Sequence, residues 1–309
     1  SWNMLKLGEM NALVLLLAAA LPSPRPRSLP PWRGAHALLY PVLGGALGLM
    51  VWGNAGLVRA DIYYKQAYDG FHLPASQALS SGSYDAGTLR QYYDLALYYY
   101  QQASIWAPQE DYYLLFQGKA LLERSQVATD AQERLADLQG SEQALLQAQR
   151  LNPLNPDHTA NQARLCRAWA QSAGDEETRR RKLAEAVEHY EQAARLSPRN
   201  AALYNEWGET LMELGRPDEA MARYQQSLAL DDRFAQTYLL LGEYHLGRQE
   251  LEAAARYAAQ AVQADPASLQ VRAAVGYLYA RLGRPHEAIE QYLEIIADYP
   301  QDYTAQKNL

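Results

Sequence analysis

Residues 201–234 read AALYNEWGETLMELGRPDEAMARYQQSLALDDRF, and the two following stretches of 34 residues repeat this pattern without a gap. Two small residues recur at the same 34-residue spacing: Gly208, Gly242, Gly276 and Ala220, Ala254, Ala288. A strict period of this length is typical of stacked helix–turn–helix units. Because such units present long exposed surfaces, the pattern favours binding or assembly over catalysis.

Each unit predicts two helices joined by a tight turn. The recurring glycine lies where two helices approach too closely for a Cβ atom. A Gly-Arg-Pro turn at 215–217 and at 283–285 opens the second helix, since proline suits a first helical position. We therefore expect helix pairs over 201–234, 235–268 and 269–302, followed by a partial helix over 303–309.

This pattern resembles the tetratricopeptide repeat (TPR). The signature residues, which we expect to pack the two helices of each unit together, are Trp207, Gly208, Ala220, Tyr224, Gly242, Ala254, Gly276, Tyr279, Ala288 and Tyr292. Looser copies extend upstream as repeats over 157–198 and 110–153 and an irregular repeat over 59–108. The resemblance implies an all-α, right-handed solenoid of helical hairpins over 59–309.

The first helices of the regular repeats are expected to line a concave groove. Its predicted lining residues are Asn205, Glu209, Glu213, Gln236, Leu239, Glu243, Gln270, Ala273 and Tyr277. The TPR subtype that captures acidic C-terminal peptides needs Lys and Asn there, whereas this set contains acids and no Lys. A basic or apolar protein helix is therefore the better-matched partner.

An apolar stretch before the repeats predicts an N-terminal arm over 1–58, with two hydrophobic helices joined by a Pro/Arg loop. Residues 35–58 hold no Lys, Arg, Asp or Glu, and about 20 apolar residues can cross a bilayer. Three arginines in the loop over 22–33 would place that loop in the cytoplasm and the repeats outside it. The glycines of the stretch equally permit close packing on protein. Membrane contact through 11–58 and burial in protein both stay open.

The composition argues against several functions. Residues 59–309 hold 24 of the 28 Lys and Arg residues but 34 of the 35 Asp and Glu residues, a net charge of −10 that disfavours nucleic-acid binding. The single cysteine, Cys166, excludes an internal disulfide and is expected to be buried. No cofactor motif, metal-ligand spacing or catalytic constellation is visible. We therefore predict a protein that has no cofactor and is not an enzyme.

Tyrosine is unusually common, with 23 residues against three phenylalanines. Tyrosine combines a large apolar area with a hydroxyl group, which suits protein interfaces. Packing within long first helices is the alternative explanation. The sequence leaves both interpretations open.

Two short phrases resemble a particular family of membrane proteins. They are RADIYYKQ at 59–66 and LNPLNPDHTANQARL at 151–165. With the preceding apolar stretch, they resemble the C-terminal part of bacterial O-antigen ligase or polymerase-like proteins that end in TPRs. The resemblance implies a location in the cell envelope, but it transfers no catalytic residue to this chain.

We predict a scaffold that assembles head-to-tail into an extracellular filament, because an arm lodged in the next subunit makes a contact that does not close on itself. Ser1 in place of Met predicts a fragment processed from a membrane-inserted precursor, located outside the cell or on the outer face of a bacterial envelope. The alternatives are a membrane-tethered accessory region of a glycan-assembly protein and a peptide-binding adaptor. The candidate contact residues of the arm are Leu13, Leu16, Leu38, Leu39, Leu43, Leu47 and Trp52.

Overall fold

The structure is a computed structural model that describes residues 44–46, 48, 55–82, 84–298 and 303–308. Within these residues the chain is helical apart from short turns, and it holds no strand. The predicted all-α fold of helical hairpins is therefore confirmed. The predicted contact residues of the arm lie outside the described residues: Leu13, Leu16, Leu38, Leu39, Leu43, Leu47 and Trp52.

The chain divides into two compact units, Ser1–Leu151 and Asn152–Leu309, here called unit 1 and unit 2. In unit 1 a continuous helix over 55–81 packs against α3, α3 packs against α4, and α4 packs against α5. The helices of unit 1 are α1 (55–67), a π-helix (Tyr68–His72), α2 (Leu73–Ser81), α3 (Ala86–Trp106), α4 (Asp111–Gln126) and α5 (Ala131–Leu151).

Unit 2 is a row of helical hairpins in which each helix packs against the next. Its helices are α6 (Pro156–Gln171), α7 (Glu176–Leu196), α8 (Ala201–Glu213), α9 (Pro217–Leu230), α10 (Ala235–Gly247), α11 (Leu251–Ala264), α12 (Leu269–Arg281), α13 (Pro285–Asp298) and α14 (Tyr303–Asn308). The helices α7, α9 and α11 end within two residues of a Pro or Asp, close to the expected ends. The predicted division of the chain at residue 58 stays a prediction.

The turns inside the three regular repeats share one geometry. Gly215, Gln249 and Gly283 stand 34 residues apart and have φ angles of 77°, 61° and 71°. This left-handed conformation ends a helix by letting the next backbone N–H bond to a carbonyl five residues back. The three bonds are Arg216 N to Leu211 O (2.8 Å), Glu250 N to His245 O (2.9 Å) and Arg284 N to Tyr279 O (2.9 Å).

The recurring glycines permit close helix approach, as predicted. A Cβ at Gly276 would lie 2.9 Å from Tyr292 Cζ, on the second helix of the same repeat. The middle repeat has Ala258 where its neighbours have tyrosine, and there Leu278 of the following repeat lies against Gly242 instead. The predicted packing residues are all buried: Trp207, Gly208, Ala220, Tyr224, Gly242, Ala254, Gly276, Tyr279, Ala288 and Tyr292.

The predicted membrane segment is only partly within the described residues. Residues 44–46 and 48 are helical and exposed, and residues 55–58 open α1. In the part of the chain that the structure describes, no helix is both long enough and apolar enough to cross a membrane.

Candidate functional site

The first helices of the unit 2 hairpins form the candidate binding face, here called the first-helix face. It consists of the outward sides of α6, α8, α10 and α12, and α10 packs between α8 and α12. The residues of this face that lie exposed on α10 and α12 are Gln236, Glu243, Gln270 and Tyr277, whereas Ala273 is half-buried. Tyr277 is 56% exposed, which is unusual for so large an aromatic side chain.

A carboxylate–guanidinium pair joins α6 to α8. Arg164 donates from Nε and Nη2 to the two carboxylate oxygens of Glu206, each at 2.7 Å. The Tyr190 hydroxyl, from α7, donates to the same carboxylate at 2.9 Å. Such bidentate pairs fix geometry as well as charge. No sequence signal predicts this clamp, because Arg164 and Glu206 lie 42 residues apart in a stretched repeat.

A second arginine holds the predicted acids of α8. Arg167 Nη2 donates to Glu209 at 3.1 Å and to Glu213 at 2.6 Å. Burial raises the pKa of Glu209 above its ordinary value, and the nearby Arg167 opposes this effect only in part. Glu209 and Glu213 are thus already engaged by a cation of the same chain.

Glu243 occupies the position in α10 that Glu209 occupies in α8. It is exposed and makes no ion pair with any described residue. The next position in the row, Tyr277 of α12, has Arg281 near its ring, with 5.7 Å between Cζ and the ring centroid. A free carboxylate and an exposed aromatic ring therefore occupy equivalent positions on neighbouring helices.

Two of the residues predicted to line the groove are buried instead. Asn205 is only 2% exposed and Leu239 only 8%, so neither is available to a partner. The Asn205 Oδ1 accepts a hydrogen bond from Thr237 of the following repeat, and Leu239 packs in the core with Val271 and Val275. The row formed by positions 205 and 239 faces the next repeat, whereas the row four residues later faces outward.

Unit 1 contains a buried polar cluster that no sequence motif predicts. The π-helix carries His72 into the interior, where its Nδ1 lies 2.7 Å from the Tyr100 hydroxyl and its Nε2 lies 3.1 Å from Glu123 Oε2. Tyr93 donates to the same Glu123 oxygen at 3.1 Å. Burial raises the pKa of Glu123, but the hydrogen bond and charge of His72, together with the charge of Lys119 and the hydrogen bond from Tyr93, outweigh it, and the pKa is lowered overall. The π-helix shifts the helical register by one residue. The regular spacing of a helix therefore does not predict that His72 faces the interior.

The tyrosines of unit 1 divide between buried and exposed positions. Tyr93, Tyr100 and Tyr113 are fully buried in unit 1, where they pack the helices together. Tyr92 and Tyr98 are 38% and 55% exposed on α3. Cys166 is buried, as predicted.

Family models match part of unit 2. A model described as TPR repeat matches residues 174–215, and one described as Tetratricopeptide repeat matches residues 205–269. Residues 174–269 are tetratricopeptide repeats. The predicted TPR resemblance is confirmed for this part of the chain.

Known proteins share parts of this sequence. DnaJ homolog subfamily C member 7 from Homo sapiens is 38% identical over 88 residues, which cover 28% of this chain and 18% of that protein. BBSome complex member BBS4 from Bos taurus is 28% identical over 120 residues, covering 39% of this chain and 23% of that protein. The chain thus spans about a fifth of the length of these curated relatives.

Two solved structures of other proteins are similar to this chain. PilW, described as a widely conserved type IV pilus biogenesis factor, superposes with a TM-score of 0.51 at 15% identity, over 80% of this chain and 97% of that one. TTC0263, a TPR protein of Thermus thermophilus, gives a TM-score of 0.45 at 20% identity, over 78% of this chain and 95% of that one. At such low identity the PilW likeness concerns the helical-hairpin fold alone.

Proposed function

We propose that the chain is a scaffold whose first-helix face binds a basic amphipathic helix of a partner protein. The observation that carries this proposal is that the unpaired Glu243 carboxylate and the exposed ring of Tyr277 lie at equivalent positions of neighbouring helices. TPRs in general bind segments of other proteins. The charged and aromatic side chains of this face would determine which partner segments bind.

The charge distribution defines the partner. The arginines of α6 are occupied by Glu206, Glu209 and Glu213, so a partner carboxylate would have to displace a carboxylate already in place. A Lys or Arg of the partner would instead meet Glu243 without displacing any group. The apolar side of the same partner helix would lie on Tyr277, because helix recognition combines apolar anchors at helical spacing with charges at the rim.

Calorimetric titration of the full chain tests this proposal. The probe is a helix of about 15 residues built from leucine and lysine, long enough to be helical when bound, and its counterpart has glutamate for lysine. We expect the lysine helix to bind and the glutamate helix not to bind. Glu243→Gln should weaken binding about tenfold, which corresponds to ~1.4 kcal/mol, and Tyr277→Ala should weaken it as well.

The matched control is Glu290→Gln, which removes an exposed carboxylate from α13, outside the first-helix face. It lowers the net negative charge by the same amount as Glu243→Gln and should leave the affinity unchanged. Equal weakening by both variants would mean that the lysine helix is attracted only by net charge, and the proposed face would be wrong.

Self-assembly through the N-terminal arm is a second candidate function. Gly44, Gly45 and Gly48 are helical and exposed, and no described residue outside their own helical segment comes within 4 Å of where their Cβ atoms would be. Exposed glycines on an apolar helix let another helix approach closely. This supports head-to-tail assembly of copies into a filament, the arm of one copy lodging in the next.

Electron microscopy of the chain without detergent tests self-assembly. Filaments with a regular axial rise are expected, and they should disappear when residues 1–54 are deleted. Compact monomers of the intact chain would contradict the candidate. Filaments that persist without residues 1–54 would show that another surface makes the contact.

An outer location and a link to glycan assembly remain proposals that rest on the phrases at 59–66 and 151–165. They support a scaffold attached to an O-antigen ligase-like protein at the outer face of a bacterial envelope. Protease added to intact producing cells should then digest the repeats. Protection of the repeats until the cells are lysed would place them inside and contradict this location.

A further inference from the structure

Unit 1 has a set of half-buried and exposed aromatic side chains between its continuous first helix and α3. We call this set the aromatic seam, and it consists of Arg59, Tyr63, Phe71, Tyr92, Tyr99 and Trp106. The Arg59 guanidinium lies 4.6 Å from the Trp106 ring centroid at one end. Tyr99 lies between Tyr63, at 6.2 Å, and Phe71, at 5.7 Å, and Phe71 lies 6.0 Å from Tyr92 at the other end.

The aromatic seam is flanked by further apolar side chains that no described residue covers. Ile62 is 58% exposed, Leu95 is 44% exposed and Tyr98 is 55% exposed. The opposite side of α3 is already buried through Leu89 and Tyr93, so the helix is apolar on two faces. Soluble proteins rarely leave contiguous apolar surface of this kind open unless another molecule binds there.

The apolar arm of the chain has the properties needed to cover this surface. Residues 35–52 hold no Lys, Arg, Asp or Glu, and the one cation of the seam is already placed over Trp106. As a helix these residues would extend about 27 Å, and the seam extends about 21 Å from Tyr92 to Trp106. Glycines at 44, 45 and 48 would let protruding rings pack directly against the backbone of the arm.

Within one chain, no described residue covers either the aromatic seam or the described glycines of the arm. The seam residues Tyr92 and Trp106 are exposed, and so are the arm residues Gly44, Gly45 and Gly48. We infer that the aromatic seam receives residues 35–52 of a second copy. This inference rests on the proposed self-assembly and names the receiving surface on the neighbouring subunit.

A disulfide-trapping experiment on the full chain tests the inference. Cys166→Ala removes the only cysteine, and two variants are then made in that background, one with Ala46→Cys in the arm and one with Leu95→Cys on the seam. The two variants are mixed and oxidised under mild conditions. Docking raises the local thiol concentration to the millimolar range, so we expect a heterodimer to form in at least about tenfold excess over the control.

The matched control is Leu146→Cys, which replaces an exposed leucine on α5, away from the seam. Leu146 is 40% exposed, close to the 44% of Leu95, so the two thiols are similarly accessible. Equal trapping of Ala46→Cys by both positions would overturn the inference. A second variant, Tyr98→Asp, should abolish trapping at Leu95→Cys, since it places a charge in the apolar contact.

Light scattering of the same samples separates two kinds of failure. Assembly without trapping at Leu95→Cys would leave self-assembly standing and overturn the seam as its receiving surface. Absence of assembly would contradict the self-assembly candidate itself.

Two further outcomes would overturn the inference by naming another occupant. A chain carrying both cysteines that yields only an internally cross-linked monomer would show that the arm covers its own seam. If the chain sediments with phosphatidylcholine vesicles and no disulfide is trapped, the arm binds a membrane and not a second copy.

Discussion

The ring of Tyr224 lies against the backbone of Gly208, so closely that a Cβ at residue 208 would come within 2.4 Å of Tyr224 Cε1. The contact joins the two helices of one hairpin and recurs between Gly276 and Tyr292 two repeats later. A tyrosine ring inserted against a glycine sets the distance between the helices. Gly208 and Gly276 therefore mark ring-to-backbone contacts, whereas at Gly242 the Leu278 side chain of the following repeat takes the place of the ring.

The Gly208–Tyr224 contact predicts that Gly208→Ala destabilises the chain by about 1–3 kcal/mol, because the added methyl overpacks the helix pair. Gly247→Ala is the control, since residue 247 is helical and has open space around its Cβ position. Alanine there should be neutral or stabilising. Thermal unfolding followed by circular dichroism measures both, and equal melting temperatures for the two variants would contradict the packing account.

The turn at Gln249 predicts a stabilising substitution. Gln249 has a φ of 61°, in the left-handed region where the equivalent positions of the neighbouring repeats have glycine. Gln249→Gly should stabilise the chain by ~1 kcal/mol, because a side chain is unfavourable in that region. Gly283→Gln should destabilise it by a similar amount. Urea denaturation provides the measurement, and a loss of stability in Gln249→Gly would show that the turn is not strained.

The Arg167–Glu213 pair predicts a measurable coupling energy. Its side chains are 17% and 29% exposed, whereas those of the Arg180–Glu176 pair are 72% and 60% exposed. A double-mutant cycle with Gln at both positions should give a coupling of ~1 kcal/mol for the first pair and less than ~0.5 kcal/mol for the second. Couplings of equal size would mean that the Arg167–Glu213 pair contributes no more than a surface ion pair.

The buried cluster of unit 1 predicts a dependence of stability on pH. The lowered pKa of Glu123 means that ionised Glu123 stabilises the folded state above the ordinary glutamate pKa of about 4.3, and that this contribution is lost as the pH falls through the lowered folded value. The stability difference between the wild type and Glu123→Gln should be largest above pH ~5 and should shrink toward pH ~3. Denaturation at several pH values checks this, with Tyr93→Phe expected to show a smaller change of the same sign. A difference that grows on acidification would contradict the assignment.

The sequence predicts the hairpins well because their determinants are local and periodic. Gly208, Ala220 and Tyr224 belong to the repeat signature. All three are buried, as expected for two small residues and one ring packed between the helices of a repeat. Asn205 is predicted to lie in the groove but is buried, because it faces the following repeat and accepts a hydrogen bond from Thr237. A polar residue at this position does not reveal from the sequence whether it faces the solvent or the next repeat. His72 could not be placed, since a π-helix changes the register without a sequence signal.

Hydrogen–deuterium exchange of the full chain with the lysine–leucine helix shows where on the chain the helix binds. If the first-helix face binds the helix, exchange should slow in α10 and α12, and Glu243→Gln should reduce that protection while Glu290→Gln preserves it. Binding of the helix without any protection of α10 and α12 would contradict the account.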